Sequence, residues 1–553
     1  MSKMLTNILS IALLGATLAL GYLNFHNYPV TSAEGMLVTL IFTLTGALLG
    51  YVVHLIRNEN VQCLLHLFTL GVVIDFSTLL TTKAVWIGKF AGGSHSLPSL
   101  ALLVLSFFLI FLFFLSIKRN LSLILFVSYF VFFTSTLLLP APSMPFGEQK
   151  TDQSAHNNGD SPGTLHLVLD GHIGIAGIPT SIDGGIRLKQ RLAEFYKKWG
   201  FQLHENAYSQ HALSQDSLST LFNGTSNITE KNQLASGHTT GHRFKLTENK
   251  YFEKQAQAGY EIRIIQSDYL DFCNSDRVPI AYCYDYPAVS PGAMNTAVLP
   301  ILLKTKRLIR SFFNNSLFVI LINKIVNNNR TIQTDSSVEA NQHVPVKYFN
   351  TALIHSIELI KKQLQSHPDG SLIFAHLLMP HAPFIWDSQC NIRLENKLWL
   401  PKLVRDHREA RNAIQVRNSN YLNYFNQIDC IIKQLDELFT ELSEMHHFSD
   451  LRIIIHSDHG SRLSLINPTI DNMETVTNTY IIDSFSTIFA IREPAHTAGS
   501  SREQISLLEL FSDYNLVEND LNPQVSGAPI WFRTQDSVAD EILRKKYDKL
   551  PFD

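Results

Sequence analysis

The feature that most constrains this chain is the distribution of its apolar residues. Of 553 residues 45% are hydrophobic, and the surplus sits in the first 140. Five apolar runs can be read there, at roughly 4–25, 35–56, 61–85, 98–117 and 121–139. Each is long enough for a helix to cross about 30 Å of hydrocarbon, so the pattern predicts five transmembrane helices in residues 1–140. Lys3, Arg57 and the Lys118–Arg119 pair collect on one side, against Lys83 and Lys89 on the other. Cations favour the cytoplasmic side, which places the N-terminus inside and everything after Leu139 outside the cytoplasm. No small-x-small cleavage pattern precedes His26, which favours a retained first helix over a cleaved leader.

Residues 141–163 are rich in Pro, Gly, Ser and Asn and read as a linker. From Thr164 to Asp553 short apolar stretches alternate with amphipathic ones. Strands are expected at 164–170, 260–266, 371–377, 451–457 and 486–491, and helices at 347–366 and 419–442. In the second helix Leu422, Phe425, Ile428, Ile432, Leu435 and Leu438 would share one face. Near-continuous apolar strands between helices predict a large α/β domain, its mainly parallel sheet covered by helices on both faces. The net charge of −3 provides no basic field, which argues against a nucleic-acid partner. Cys63 falls in an apolar run; Cys273 and Cys283 are ten residues apart and could pair, with the connectivity of these and of Cys390 and Cys430 left open.

In such sheets the ligand site lies beyond the carboxyl ends of the strands. Asp170 ends the first strand, His376 and His381 lie in "AHLLMPHAPF", and Asp458 and His459 follow "RIIIHS". Burying such groups is costly unless something pairs with or binds them. Mixed oxygen and nitrogen ligands from separate strands suit a divalent metal such as zinc or manganese.

"LVLDGHIG", "HLLMPHAPF" and "SDHG", in that order, resemble the metal-site motifs of the alkaline phosphatase/sulfatase superfamily over roughly residues 164–495. With five membrane helices ahead of the domain, the chain looks like the phosphoethanolamine transferases of lipid A and, more distantly, the phosphoglycerol transferases. The resemblance implies that Asp170, Asp458 and His459 bind a metal together with the oxygen of a Ser or Thr nucleophile. It gives His376 and His381 contact with the phosphoryl group or a second ion. The nucleophile should open a helix soon after the first strand, in "YSQHALSQDSLSTLFNG". Ser214 stands before the periodic Leu218, Leu221 and Phe222, where the amides and dipole of a helix N-terminus favour an alkoxide and an incoming phosphate. It also matches the family's Thr-x-x-Ser pattern, with Ser217 in the fourth place and serine replacing the more usual threonine. After "SDHG" the chain has Ser461–Arg462 where a glutamate is frequent.

The function implied is transfer of a phosphoryl-linked group through a phospho-serine, at the outer face of the inner (cytoplasmic) membrane. A membrane phospholipid would be donor and a lipid or glycan acceptor. The alternatives are a sulfatase or phosphodiesterase-type hydrolase, or an inactive sulfatase-like membrane protein. For a sulfatase, "CNSDR" at 273–277 approaches the formylglycine element but has Ser275 where Pro or Ala is expected. Residues 300–326 combine Lys304, Lys306, Arg307 and Arg310 with apolar neighbours, and suggest a helix on the membrane-facing side of the domain.

Overall fold

The structure, a computed structural model, describes residues 3–76 except 27, 109–138 except 119, 147–150, 161–225, 244–286 except 247 and 276, 299–314, 352–393 except 368, 410–463, 476–518 except 495, and 530–531. The chain forms two compact units. One joins Met1–Met144 to Val289–Val346; the other joins Pro145–Ala288 to Lys347–Asp553. Compared with the division expected at 1–140, 141–163 and 164–553, the stretch 289–346 changes sides.

In the N-terminal unit, helices Lys3–Phe25 and Ala33–Leu55 pack against each other. Small residues let the backbones meet: a Cβ at Gly46 would lie 2.3 Å from the Ile11 carbonyl oxygen, and one at Gly50 2.5 Å from that of Asn7. On the other side Met36, Leu40, Leu44 and Leu48 recur every fourth residue, each more than half exposed. Such a stripe faces lipid more readily than water. These two helices are long and apolar enough to cross a membrane, and a third span arises if the bent pair Leu109–Ser116 and Leu121–Leu137 is counted as one. The described residues therefore show two or three candidate crossings where five were expected. Helix Glu59–Phe76 has only 18 residues and includes Glu59, Asn60, Gln62, His66 and Asp75. Parts of the runs 61–85 and 98–117 lie outside the described residues.

Helix Ile301–Asn314 belongs to this unit. Lys304 Nζ reaches Glu34 Oε1 at 3.3 Å, and Tyr28 donates its hydroxyl to the same carboxylate at 2.6 Å. Further along, the Phe312 ring meets Phe42 at 4.7 Å and Tyr22 at 5.2 Å. Eight residues separate the contacts on each helix, so this helix runs beside Ala33–Leu55 in the same direction. The sequence suggested a helix on the face of the C-terminal domain; instead Lys304 and Arg307 are buried among the apolar helices.

The C-terminal unit is built on nine strands: β1 (Gly147–Lys150), β2 (Thr164–Leu169), β3 (Gln202–Tyr208), β5 (Glu261–Ser267), β7 (Ile280–Tyr286), β8 (Ser371–Leu377), β9 (Arg452–His456), β10 (Phe489–Arg492) and β11 (Gly499–Ser506). The two-residue strands β4 (Phe244–Lys245) and β6 (Leu270–Asp271) form a separate pair. The sheet order is β1-β7-β5-β8-β2-β9-β10-β3-β11. β7, β5, β8, β2 and β9 are parallel, as the apolar strands predicted, while β10 runs antiparallel to both β9 and β3. β1 falls within the stretch read as linker and pairs antiparallel with β7. On one face Phe222, Phe252, Phe374 and Phe511 form an aromatic core, a large share of the apolar burial that holds helices to the sheet. The long helix Ala410–Ser443 buries Phe425, Ile428, Ile432, Leu435 and Leu438 as expected, but Leu422 is exposed; Tyr421 and Tyr424 take the buried positions on that turn. Disulfides join Cys273 to Cys283 and Cys390 to Cys430.

Candidate active site

β2, β8 and β9 lie side by side, so the residues following them meet at one edge. Asp170 leaves β2 and is fixed through its backbone: its N–H donates to Leu377 and its carbonyl accepts from His381, both at 3.0 Å. Gly171 then turns with φ +71°, a left-handed conformation that favours glycine. Tyr424, on the long helix, accepts from Ile173 N–H and donates to the Gly171 carbonyl, clamping this loop from outside. Gln427, one turn on, donates to the carbonyls of Pro380 and His381 and accepts from Ile385, fixing the loop after β8.

After β9, Asp458 uses Oδ1 to accept from the N–H groups of Gly171 (3.0 Å) and His459 (2.9 Å). That leaves Oδ2 without a hydrogen-bond partner in a fully buried side chain. His459 Nδ1 lies 2.7 Å from the Gly460 carbonyl, an acceptor only, so Nδ1 donates there and Nε2 turns inward. Nε2 faces Asp170 Oδ1 at 3.3 Å, Asp458 Oδ2 at 3.6 Å and Ser214 Oγ at 3.3 Å.

Ser214 is the first residue of helix Ser214–Asn223. The cap is the backbone of Leu213, whose carbonyl accepts from Ser217 N–H, so the Ser214 hydroxyl is not spent on capping. Ser217 Oγ donates to the Asp458 carbonyl at 2.5 Å and ties the helix to the loop after β9. Nearby hydroxyls are committed to carbonyls: Ser209 to His211, Ser219 to Asp216, and Thr220 to Asp216 and Ser217.

Asp170, Asp458 and His459 each offer one ligand atom, all within 4.8 Å of one another. Two buried carboxylate oxygens, Asp170 Oδ1 and Asp458 Oδ2, converge on the His459 Nε2 atom, and neither oxygen has a hydrogen-bond partner. A divalent cation bound by two oxygens and one nitrogen resolves this, with Ser214 Oγ available as a fourth ligand; the donor set fits zinc or manganese. The Gly460 carbonyl on Nδ1 is the outer contact that orients a ligating histidine.

His376 and His381 are placed differently. His376 is inside β8, fully buried, with both ring nitrogens unpartnered and one edge against Phe272. Burial lowers its pKa, while Asp170 and Asp458 oppose the shift. His381 lies in the loop, with Nδ1 on the Ala382 carbonyl (2.6 Å) and Nε2 2.8 Å from Arg462 Nη2. The resemblance gave both histidines a phosphoryl or second-ion contact; neither belongs to the group formed by Asp170, Asp458 and His459. The supports Tyr424 and Gln427 are not legible in the sequence, since a tyrosine and a glutamine in an amphipathic helix carry no signal of their own.

No family model and no curated protein matches this chain. Solved structures similar to it include the phosphonate monoester hydrolase of Agrobacterium radiobacter, at 13% identity and TM-score 0.40, over 67% of this chain and 80% of that one. The C-terminal periplasmic domain of EcEptC from Escherichia coli, in complex with Zn, is 14% identical with TM-score 0.38, over 74% and 98%. A protein in the alkaline phosphatase superfamily from Vibrio parahaemolyticus is 10% identical with TM-score 0.36, over 69% and 78%.

Proposed function

We propose that the chain is a membrane-anchored, metal-dependent enzyme that transfers a phosphoryl-linked group, of the phosphoethanolamine or phosphoglycerol type, through a covalent phospho-serine at Ser214. The observation that carries this reading is the Ser214 hydroxyl, free of structural duty at a helix N-terminus and 3.3 Å from His459 Nε2, on which the unpartnered oxygens Asp170 Oδ1 and Asp458 Oδ2 also converge. A divalent cation held by Asp170, Asp458 and His459 would supply Lewis acidity and lower the pKa of the serine hydroxyl.

Ser214 Oγ forms a bond to phosphorus while the bond from phosphorus to the donor alcohol breaks, and the serine proton leaves with that alcohol. An acceptor hydroxyl then attacks the same phosphorus, the bond from phosphorus to Ser214 Oγ breaks, and the acceptor's proton returns to the freed Ser214 oxygen. The amides at the start of helix Ser214–Asn223 face the developing charge on the phosphoryl oxygens. Two-dimensional encounter at the bilayer favours a membrane phospholipid as donor and a lipid or glycan as acceptor; water as acceptor gives a hydrolase.

The two disulfides support an oxidising compartment, and with the Lys/Arg asymmetry a multi-pass inner-membrane protein whose catalytic part is periplasmic. The Cys273–Cys283 disulfide weighs against the sulfatase alternative, which would need Cys273 free for conversion to formylglycine. Incubation with labelled phosphatidylethanolamine or phosphatidylglycerol, followed by mass spectrometry, tests the proposal: label on Ser214 supports it, and label elsewhere or nowhere refutes it. A reporter fused after Gly147 should be active only outside the cytoplasm.

A further inference from the structure

We infer that Arg462 grips the anionic oxygens of a phosphodiester monoanion, and that His381 is the residue that aims it. The inference rests on the transferase reading and deepens it.

Arg462 follows the loop that delivers Asp458 and His459. Its backbone is in the left-handed region, φ 50°, unfavourable for a residue with a Cβ, and is pinned there by its N–H on the Asp483 carbonyl at 2.9 Å. Asp483 is itself buried and held by Arg417 and the Tyr421 hydroxyl. The side chain thus departs from a rigid base. Its Nη1 donates to the Ala212 carbonyl at 3.3 Å, two residues before Ser214, and its Nη2 donates to His381 Nε2 at 2.8 Å.

The second contact fixes the state of the histidine. His381 Nδ1 is 2.6 Å from a carbonyl and holds its proton there, so Nε2 is the acceptor. In this arrangement His381 has no proton to offer a substrate; its work is to orient the guanidinium. Arg462 is half-buried and pairs with no carboxylate among the described residues. A guanidinium has five N–H donors in a planar fork, of which two are used here, and the fork matches two oxygens of a phosphate group.

The charge balance gives this cation a purpose. Asp170, Asp458 and an ionised Ser214 carry three negative charges, and a divalent cation leaves one. A phosphodiester brings one more, and would be repelled from the nucleophile without a further positive group. Where a glutamate is frequent in the resembling family, this chain places an arginine, which favours a singly charged, two-oxygen phosphoryl group over a neutral ester.

The test is calorimetric titration of inorganic phosphate into the zinc-loaded full-length protein, with zinc content and melting temperature measured alongside. Arg462→Gln should weaken phosphate binding roughly tenfold or more at unchanged zinc content, since a charge-assisted hydrogen bond is lost. Arg462→Lys keeps the charge without the fork and should lie between; it also covers the case in which the glutamine variant fails to fold. His381→Gln, whose amide oxygen can accept the same hydrogen bond, should retain more affinity than His381→Leu. Wild-type phosphate affinity in Arg462→Gln, or no phosphate binding by the wild type, overturns the inference. If the wild type binds phosphate through Arg462 but transfers nothing from any phosphodiester, the inference stands and the transferase reading fails.

Discussion

Ser214 Oγ stands 3.3 Å from His459 Nε2, and neither atom is spent on holding the fold together. Removing the hydroxyl should therefore cost activity and leave stability nearly untouched. Ser214→Ala is expected to lower phosphoryl transfer by roughly 10³-fold or more, with the melting temperature unchanged, because the residual reaction must recruit water as nucleophile. Ser214→Thr should retain part of the activity. Transfer kinetics beside thermal melts check both.

Asp458→Asn should act by another route. Oδ1 accepts two backbone N–H groups, which an amide oxygen can still do, while Oδ2 becomes an NH₂ group that cannot ligate a cation. The expected result is a folded protein with little bound metal and a loss of activity comparable to Ser214→Ala. Metal analysis separates the two variants: the serine variant keeps its metal and the asparagine variant does not. Chelation of the wild type should abolish activity, and added zinc or manganese should restore it.

His166 lies under the sheet between Phe222, Phe374 and Phe511, with Nδ1 2.8 Å from the Tyr251 hydroxyl. Burial, then the neighbouring His456 and Arg452, hold its pKa well below 6.5. The folded protein keeps this ring neutral, while the unfolded chain takes up a proton as pH drops through about 6.5. The unfolded state then binds more protons, so stability decreases as pH falls below that value. Replacing His166 by Leu together with Tyr251 by Phe, which leaves no orphaned hydroxyl, should flatten the decline by about 1 kcal/mol per pH unit between pH 6 and 5. Denaturant unfolding at several pH values measures the slope.

The Cys273–Cys283 bridge closes a short loop leading into β7. Loop-closure entropy assigns a bridge of this span about 2–3 kcal/mol. Cys273→Ser with Cys283→Ser should lower the melting temperature and leave transfer activity on the folded fraction intact. Complete loss of activity in a folded double variant would return Cys273 to consideration as a catalytic residue.

How much of this was legible follows from the kind of signal each residue gives. Asp170, Asp458 and His459 could be read because each interrupts or ends an apolar strand, where a buried polar group needs a reason. Ser214 could be read because a helix with clear periodicity begins there. β3, with the sequence QLHENAY, carries little apolar alternation; it owes its place to pairing with β10 and β11, which only the fold supplies. The antiparallel entry of β10 was hidden for the same reason. Leu422 was placed inward because the heptad-like count favoured it, yet the aromatic rings one residue before and two after fill that space. Arg462 registered only as a departure from a familiar pattern; its contacts with Ala212 and His381 join segments roughly 250 and 81 residues away.

The companionship of helix Ile301–Asn314 with Ala33–Leu55 bears on how the protein can be divided. A fragment starting at Thr164 would retain that helix and lose its mates. Leu308 and Phe312, 0% and 3% exposed in the whole chain, would then face water, and Lys304 would lose the Glu34 carboxylate. An orphaned apolar face of this kind is an invitation to aggregate. A soluble catalytic portion is better sought by deleting 289–346 as well and bridging the gap with a short Gly/Ser segment, so that the fragment follows the boundaries of packing in place of the order of the chain.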